Sequence, residues 1–211
     1  MSDAIIIAVD GPAASGKGTL ARRLADHFGL RHLDTGGLYR AAAVRVLRTG
    51  GDPADATACE AAARNIAEKD LNSPKLRDEE VGQAASILSA HPAVREALLA
   101  YQRDFAGTPP GAVLDGRDIG TVVCPEASAK IYLEASAEIR AARRAKELRL
   151  RGVESIESRV LQEMKDRDAR DSGRAVAPLK AAEDALTIDT MGLTPDQVFD
   201  RALKFIAAQL S

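Results

Sequence analysis

The sequence predicts an α/β protein with a five-stranded parallel sheet that is flanked by helices on both faces. Short apolar, β-branched runs alternate with longer segments of helical periodicity along the chain. The first of these runs leads through a glycine-rich loop into a helix. Strands that are joined by helices pair in parallel, and helices cover both faces of such a sheet. The length of 211 residues suits one domain, or one domain with a small insert.

The first two strands are predicted near the start of the chain. Ile5 to Val9 form a β-branched run that is typical of a strand buried on both faces. From Lys17 onward, apolar residues recur four apart and predict a helix that Gly29 ends. A short second strand is predicted over 32–34 and another helix over 38–47. The order of strand, glycine-rich loop and helix is the context that a phosphate-binding loop requires.

The middle of the chain is predicted to be helical. Residues 52–75 are alanine-rich and polar, which favours a surface helix followed by a loop at 72–74. Two more helices are predicted over 81–89 and 92–105, and the second begins with a proline, which suits the first helical position. The sequence TPPG at 108–111 then marks a break.

The second half of the chain supplies the remaining strands. They are predicted over 112–114, 130–133 and 186–189. A long charged region, 138–171, predicts two helices that are separated near Gly152. The last helix is marked by a capping box between Thr194 and Gln197, with a proline at its first position.

The composition argues against several classes of partner. Lysine and arginine number 29 against 31 acidic residues, a formal charge of −2, so no general attraction to nucleic acid or to an anionic membrane is expected. No apolar run approaches the ~18 residues that span a bilayer. Cys59, Cys124 and the three histidines lack metal-ligand spacing, and we expect a reduced, cytoplasmic protein. A monomer is expected because the apolar face of the last helix is used by the core.

The segment GPAASGKGT predicts a loop that binds phosphate. It matches the pattern G-x-x-x-x-G-K-[ST], except that the hydroxyl arrives one position late, at Thr19. Backbone N–H groups and the N-terminus of the next helix attract anions, and glycines let the backbone wrap around phosphate oxygens. Lys17 adds a positive charge for the β- and γ-phosphates. The loop comprises Gly11, Pro12, Ala13, Ala14, Ser15, Gly16, Lys17, Gly18 and Thr19.

Two further motifs lie at the ends of predicted strands, where α/β sheets bind their ligands. The sequence DGRD, Asp115 to Asp118, would bind a phosphate through its arginine while a carboxylate orients a base or a metal-bound water. A solvated turn is the alternative. The sequence DTGGLYR, Asp34 to Arg40, offers free N–H groups and an arginine as a second phosphate site. A capped helix start with a surface arginine is the alternative there.

The fourth motif is RDARDSGR at 167–174. Arg170 and Arg174 are four apart, as are Arg167 and Asp171, so a helix would present them on neighbouring stripes. Positive charge on a helical hairpin suits a lid that closes over a transferring phosphoryl group. Other arginines of the region, such as Arg143 and Arg144, are explained equally well by surface ion pairs with Glu147.

Together these motifs resemble those of the bacterial cytidylate kinases. GPAASGKGT alone is shared with adenylate kinases and other nucleoside monophosphate kinases, whereas DGRDIGT and RDARDSGRAVAPL in this order are much more specific. The likeness runs from about Ile5 to the last helix. It implies a P-loop NTPase three-layer fold that uses ATP and Mg²⁺ and transfers the γ-phosphoryl group to CMP and dCMP. It also implies a monophosphate-binding portion over about 36–105 and a lid over about 145–158.

The resemblance also implies roles for matching residues. The loop would bind the ATP phosphates, with Lys17 on the transferred group and Thr19 near Mg²⁺. The residues implied to be catalytic are Lys17, Arg117, Asp118, Arg170 and Arg174. Those implied to hold the CMP phosphate are Thr35, Arg40 and Arg117, and those implied to read cytosine are Ser86, Arg95 and Asp118. Arg167 and Asp171 would engage the ribose, while Arg170 and Arg174 would face phosphates in the closed lid.

In one segment the chain departs from the family pattern. Many bacterial members have a longer insert with small strands before the A-A-S motif. The matching stretch here, about 70–80, is short and lacks β-branched alternation. We therefore expect a smaller, helical cover over the monophosphate site.

Two other functions remain open at this point. A kinase for another nucleotide or a polyol would keep the first loop, as would a regulator that binds ATP without catalysis. A GTPase switch would need an N-K-x-D base reader, which the only asparagines, Asn65 and Asn72, do not supply. An ATPase motor usually has an acid after the strand-tip aspartate, where this chain has Gly116.

Overall fold

The computed structural model describes residues 4–210. Their strands are β1 (Ile5–Asp10), β2 (Arg31–Asp34), β3 (Gly111–Gly116), β4 (Ala129–Glu134) and β5 (Leu186–Asp189). They form one parallel sheet in the order β2-β3-β1-β4-β5. This confirms the five-stranded parallel sheet predicted from the sequence, and β3 extends two residues into the predicted DGRD motif.

Helices lie between the strands in the order that the periodicity predicted. They are α1 (Lys17–Phe28), α2 (Thr35–Arg48), α3 (Ala56–Arg64), α4 (Glu68–Leu71), α5 (Glu79–Leu88), α6 (Pro92–Gly107), α7 (Ala137–Leu150), α8 (Glu157–Ser172) and α9 (Pro195–Gln209). A 3₁₀ turn, Pro74–Arg77, precedes α5, and a π-helical turn, Ile119–Val123, follows β3. The predicted capping box of α9 is confirmed. Within residues 4–210, none of these helices has the length and apolar character needed to cross a membrane.

The strand order brings three motif-bearing loops to one edge of the sheet. β1 pairs with β3 on one side and β4 on the other, and β2 pairs with β3. Asp10 lies in register with Gly116, while Asp115 lies in register with both Val9 and Asp34. The carboxyl ends of β1, β2 and β3 are therefore neighbours, at the place where open α/β sheets bind ligands.

An aliphatic core lies on both faces of the sheet. On one face, Ile7 packs with Leu24 of α1 and Ile206 of α9, and all three are fully buried. On the other face, Leu114 packs with Ala106 of α6. Burying a side chain of this size stabilises the fold by about 2 kcal/mol, so these contacts hold the site-bearing strands rigidly in place.

A second hydrophobic core lies within the helical portion between β2 and β3. It joins α2, α3, α5 and α6 through buried residues such as Cys59, Leu88 and Val94. The described residues 35–107 are helices and turns. This portion therefore has a core of its own to support any side chains that it directs at the site.

The prediction of a loop over 72–74 is partly wrong, because Pro74 is the first residue of the 3₁₀ turn. The Ser73 hydroxyl accepts a hydrogen bond from the Lys75 backbone N–H at 3.3 Å, and the proline fixes the φ angle of the first residue in the turn. Asp70, in the helix that precedes this turn, is 1% exposed and forms an ion pair with Arg45 at 2.7 Å. This pair ties the start of the segment to α2.

Candidate active site

The loop between β1 and α1 has positive φ angles at Gly11 and Gly16, a backbone conformation that favours glycine. Gly11 has a φ of 145°, and a Cβ atom there would lie 2.1 Å from the carbonyl oxygen of Leu133, so only glycine fits. Lys17 opens α1 and is 7% exposed. Its Nζ atom donates to the carbonyl oxygen of Pro12 at 2.9 Å. The side chain is thus held against the loop, and the first turn of α1 presents N–H groups that lack intrahelical partners.

This loop lines a cavity of ≈ 470 Å³, a size that suits a small-molecule ligand. The loop residues that line it are Ala13, Ala14, Gly16, Lys17, Gly18 and Thr19. Gly11 and Pro12 are buried and do not line it, and Ser15 faces a separate cavity. Side chains from the other two strand ends complete the wall.

Burial lowers the pKa of the Lys17 amine to about 7. Repulsion from Arg117 acts in the same direction, and the carboxylate of Asp115 acts against it. An ammonium group in these surroundings is stabilised by any nearby negative charge. The site therefore favours an anionic ligand beside Lys17.

Asp115 is fixed by neighbours from β2 and α2. Its Oδ1 atom lies 2.8 Å from Nε2 of His32, and its carbonyl oxygen accepts a hydrogen bond from the Thr35 hydroxyl at 2.8 Å. A Cβ atom at Gly116 would lie 2.6 Å from the Thr35 hydroxyl oxygen, so glycine allows this close approach. The carboxylate of Asp115 lines the larger cavity from this rigid position.

A smaller cavity of ≈ 50 Å³ lies at the ends of β2 and β3 and is bounded by α5, α6 and α8. All nine residues predicted to bind the acceptor line it: Thr35, Arg40, Ser86, Arg95, Arg117, Asp118, Arg167, Asp171 and Arg174. Their charges are unequal, since five arginines face two aspartates. This excess of positive charge favours an anionic ligand here as well.

The smaller cavity is narrow because its side chains pair with one another around Asp171. One oxygen of this 1% exposed carboxylate accepts hydrogen bonds from Ser86, at 3.3 Å, and from Arg174. The other accepts from Arg117 at 2.9 Å. Burial acts to raise the pKa of Asp171, but Arg117 and Arg174 outweigh it and hold the pKa below its usual value. A ligand that enters must therefore share or displace these arginine contacts.

Asp118 and Arg95 form a second buried ion pair in this cavity. The Arg95 guanidinium also lies over the ring of Tyr39, 5.6 Å from its centroid. A carboxylate and a guanidinium side by side offer acceptors and donors to a planar polar ligand edge. Tyr39 had no predicted role, although it precedes Arg40 in the same motif.

Three arginines line both cavities, and they come from different elements: Arg40 from α2, Arg117 from the end of β3 and Arg167 from α8. Burial and repulsion from Arg117 lower the pKa of Arg167 to about 9. Two anionic ligands, one in each cavity, would meet at these three guanidinium groups.

Arg170 lines neither cavity, unlike the other arginines predicted for the site. Its guanidinium donates to Oε1 of Gln83 at 2.7 Å and to the Ser86 hydroxyl at 3.3 Å. Helix α8 carries Arg170 and ends at Ser172, so the helical spacing does not extend to Arg174. Arg174 follows the helix and lines only the smaller cavity.

Arg143 lies at the site and not in the surface ion pair that the sequence left open for it. It donates to the hydroxyl of Thr190 at 2.9 Å and to its carbonyl oxygen at 2.8 Å. Arg143 lines the larger cavity and also a neighbouring one of ≈ 240 Å³, and Thr19 does the same. The ion pair that the sequence offered between Arg144 and Glu147 is confirmed, at 3.0 Å.

The helices α7 and α8 form a hairpin that packs on the phosphate-binding loop. Arg140 of α7 makes a bidentate pair with Asp168 of α8, at 2.6 and 3.3 Å, and donates to the carbonyl oxygen of Ala13. Val160 and Met164 of α8 belong to a small apolar cluster that contacts the same loop. The base of the hairpin is therefore tied to the loop by both polar and apolar contacts.

The far end of the hairpin contacts the helical portion instead. Arg144 pairs with Glu79, the first residue of α5, at 2.7 Å. Arg151, in the turn after α7, donates to the carbonyl oxygen of Arg77 at 2.8 Å. Arg77, Glu79 and Arg144 from these contacts also line the larger cavity.

The residues at the loop fit a Mg²⁺ ion that is held mainly by ligand oxygens. Thr19 and Asp115 both line the larger cavity. Across residues 4–210, no cluster of three or more His, Cys, Asp or Glu side chains is placed to hold a metal by itself. Mg²⁺ typically keeps waters and uses one or two protein ligands with substrate phosphates, so a hydroxyl and a nearby carboxylate suit it.

A phosphate-binding loop after β1, an arginine-lined cavity beside it and a helical hairpin over both define a P-loop phosphotransferase. A family model described as Cytidylate kinase matches residues 7–208. The chain therefore belongs to the cytidylate kinase family.

Similar proteins agree with this assignment. The cytidylate kinase of Paramagnetospirillum magneticum is 55% identical over 207 residues, which cover 97% of this chain and 98% of that protein. The cytidylate kinase of Methylocella silvestris is 55% identical over 202 residues, covering 96% and 94%. The crystal structure of a gluconokinase from Sinorhizobium meliloti has a TM-score of 0.52 at 14% identity, covering 99% of this chain and 94% of that one. This last likeness concerns the fold alone.

Proposed function

We propose that this chain transfers the γ-phosphoryl group of ATP to CMP and to dCMP, giving ADP and the corresponding diphosphate. The observation that carries the proposal is that three arginines line both cavities, between Lys17 in the larger and Asp118 in the smaller. ATP occupies the larger cavity and the monophosphate the smaller, so that their phosphates meet at the shared arginines. Membership of the cytidylate kinase family supports this reaction.

On the ATP side, the loop holds the phosphates through backbone N–H groups, and Lys17 contacts the group that is transferred. The Thr19 hydroxyl would hold Mg²⁺, and the Asp115 carboxylate would support the ion from the same cavity wall. When bound, Mg²⁺ neutralises phosphate charge and fixes the phosphate geometry. The chain itself supplies positioning and positive charge, which are the main requirements of phosphoryl transfer.

On the acceptor side, Arg40 and Arg117 hold the CMP phosphate beside Thr35. The incoming phosphate replaces the Asp171 carboxylate as a partner of Arg117, which opens the narrow cavity. The attacking phosphate oxygen is already an anion, so the reaction needs no strong general base. Binding and alignment therefore account for most of the work of this site.

The cytosine ring is read by Asp118 and Arg95, with Ser86 nearby. Cytosine carries a donor amino group next to the acceptors N3 and O2. The Asp118 carboxylate accepts the amino hydrogen, while the Arg95 guanidinium donates to the acceptors. Uracil would place a carbonyl oxygen against the buried carboxylate and leave it unpaired, which disfavours UMP. Arg167 and Asp171 contact the ribose.

The α7–α8 hairpin acts as the lid, with its tip at about 145–158. Its present contacts with Glu79 and Arg77 link it to the monophosphate-binding portion. Arg170 and Arg174 turn toward the phosphates when both substrates are bound. Closure excludes water, which would otherwise accept the phosphoryl group and hydrolyse ATP.

At alkaline pH, the Lys17 amine is expected to take up a proton when ATP binds. The Lys17 pKa of about 7 in the free protein rises when phosphate oxygens approach, so the charged form is favoured in the complex. Above pH 7 the free amine is mostly neutral, and the affinity for ATP falls by about tenfold per pH unit. Calorimetric titration between pH 7.5 and 8.5, in buffers of different ionisation enthalpy, measures both effects. Equal affinity and no proton uptake across this range would contradict the assignment of Lys17.

The acceptor is tested by a coupled assay with ATP and a panel of CMP, dCMP, UMP, AMP and shikimate. We expect turnover with CMP and dCMP and a kcat/KM for UMP about 100-fold lower, because a hydrogen bond to a charged group is lost. Preferred turnover of AMP or shikimate would favour a kinase for another acceptor. Tight ATP binding without turnover of any of them would favour a regulator.

We further propose that the protein acts as a cytoplasmic monomer whose partners are nucleotides and not nucleic acid. The formal charge of −2 and the free, buried Cys59 and Cys124 support this setting. Light scattering at micromolar concentration tests the monomer directly.

A further inference from the structure

The carboxylate of Asp10 links the end of β1 to the segment that follows the DGRD motif. Its Oδ1 atom accepts a hydrogen bond from the backbone N–H of Ile119 at 2.9 Å, and its Oδ2 atom accepts one from Gly120 at 2.8 Å. Asp10 is 5% exposed, and both hydrogen bonds are buried. They join residues that are more than 100 positions apart in the chain.

The two N–H groups belong to the start of the π-helical turn Ile119–Val123. N–H groups at a helix start lack helical partners, so the Asp10 carboxylate completes this turn from outside. Asp118 directly precedes the turn, and its carbonyl oxygen accepts hydrogen bonds from Val122 at 2.9 Å and Val123 at 3.1 Å. The backbone of Asp118 is thus one end of the turn that Asp10 holds.

The turn is also packed closely against β4. A Cβ atom at Gly120 would lie 3.1 Å from Cδ of Lys130 and 3.5 Å from Oδ2 of Asp10. Glycine therefore lets the turn lie close to the Lys130 side chain and to Asp10, where a larger residue would be crowded.

Keeping the Asp10 carboxylate charged in this buried position costs free energy of folding. Burial raises the pKa of the Asp10 carboxyl to about 7, although the hydrogen bonds from Gly120 and Ile119 lower it. The Asp118 carboxylate raises it further through repulsion. A buried carboxylate whose hydrogen-bond partners are backbone N–H groups stabilises a fold less than an apolar side chain of that size would. Its contribution is a fixed backbone position for the segment it holds.

We propose that Asp10 is a positioning residue for acceptor selectivity, acting through the backbone of Asp118. This inference rests on the proposed function, in which the Asp118 carboxylate reads the amino group of cytosine. Hydrogen-bond readout depends on distance and angle, so loosening the turn weakens the discrimination between CMP and UMP. Asp10 itself lines neither cavity, so the binding of ATP in the larger cavity is expected to change less than the selectivity for the acceptor.

Asp10→Asn is the sharpest test because it keeps the size of the side chain. An amide has one acceptor oxygen, and its NH₂ group would face the second backbone N–H, so one of the two hydrogen bonds is lost. We expect a KM for CMP about tenfold higher and a CMP/UMP ratio of kcat/KM about tenfold lower. The KM for ATP and the kcat at saturating CMP are expected to stay within about twofold of wild type. Asp26→Asn, on the exposed surface of α1, is the matched control.

A double-mutant cycle with Asp118→Asn tests the route of the effect. Asp118→Asn alone is expected to lower the CMP/UMP ratio, and adding Asp10→Asn should change it little, because the carboxylate that was being positioned is gone. Gly120→Ala crowds the same turn without altering Asp10, and it should also raise the KM for CMP. This second variant keeps the test valid if Asp10→Asn unfolds.

The outcomes separate the inference from the proposed function. Wild-type turnover of CMP, with a CMP/UMP ratio lowered by Asp118→Asn but unchanged by Asp10→Asn, would overturn the positioning role alone. Equal and additive effects of the two substitutions would overturn it as well. Failure of the wild-type protein to phosphorylate CMP would overturn the proposed function and the inference with it.

Discussion

Replacing Lys17 with alanine is expected to lower kcat by about 10²- to 10³-fold. In the proposed reaction, negative charge develops on the bridging oxygen and the transferred group as the transition state forms. The Lys17 ammonium is 7% exposed and is held against its own loop by the hydrogen bond to Pro12. A positive charge that is fixed in a site shielded from water interacts strongly with developing negative charge. The KM for ATP should change less, because the N–H groups of the loop remain.

The fold should tolerate the loss of this side chain. Burial lowers the pKa of the amine to about 7, which means that the folded surroundings disfavour its charge. Steady-state kinetics with saturating ATP and CMP gives kcat, and thermal unfolding gives Tm. Lys204→Ala, on the exposed face of α9, is the matched control. Near wild-type kcat in Lys17→Ala, or a kcat loss that follows a large fall in Tm, would contradict this role.

The elements closest to the phosphates were predictable because their signals are local. Three signals follow one another between Ile5 and Phe28: the β-branched run of β1, the glycines after it and the helical spacing from Lys17. Each signal constrains the backbone of its own segment. The convergence of the three strand-end motifs followed from the parallel sheet, since the carboxyl ends of neighbouring strands share an edge. It accounts for four of the nine residues that were predicted for the acceptor and line one cavity, namely Thr35, Arg40, Arg117 and Asp118. The other five lie on or after helices, and only the family resemblance implied them.

The contacts that refine the site were not predictable, because they join residues without a local pattern. The π-helical turn after Asp118 depends on the carboxylate of Asp10, which only the pairing of β1 with β3 brings near. His32 reaches Asp115 for a similar reason, through the pairing of β2 with β3. Arg143 of α7 meets Thr190, which follows β5, and neither residue belongs to a motif. Such pairs require the tertiary arrangement, and helical spacing alone suggested surface ion pairs.

Arg117 is the second position at which one substitution is expected to remove most of the activity. It extends from the end of β3 and lines both cavities, and its Nε atom donates to Asp171 at 2.9 Å. A guanidinium between donor and acceptor phosphates stabilises the charge that spreads over the equatorial oxygens in the transition state. Arginines in such positions contribute about 10³- to 10⁵-fold to kcat in phosphoryl-transfer enzymes. We expect Arg117→Ala to lower kcat by about 10³-fold, with a smaller rise in the KM for CMP.

Arg117→Lys separates the charge from its geometry. Lysine restores a positive charge without the planar fork that contacts two phosphate oxygens, so we expect it to recover only about tenfold of the loss. Arg159→Ala, whose side chain is 79% exposed on α8, is the matched control. Asp171 keeps Arg174 and Ser86 as partners in both Arg117 variants, so their Tm should fall only slightly. A higher KM for CMP in Arg117→Ala, with kcat within tenfold of wild type, would show that Arg117 binds the acceptor without stabilising the transition state. The placement of both phosphates at the shared arginines would then be wrong.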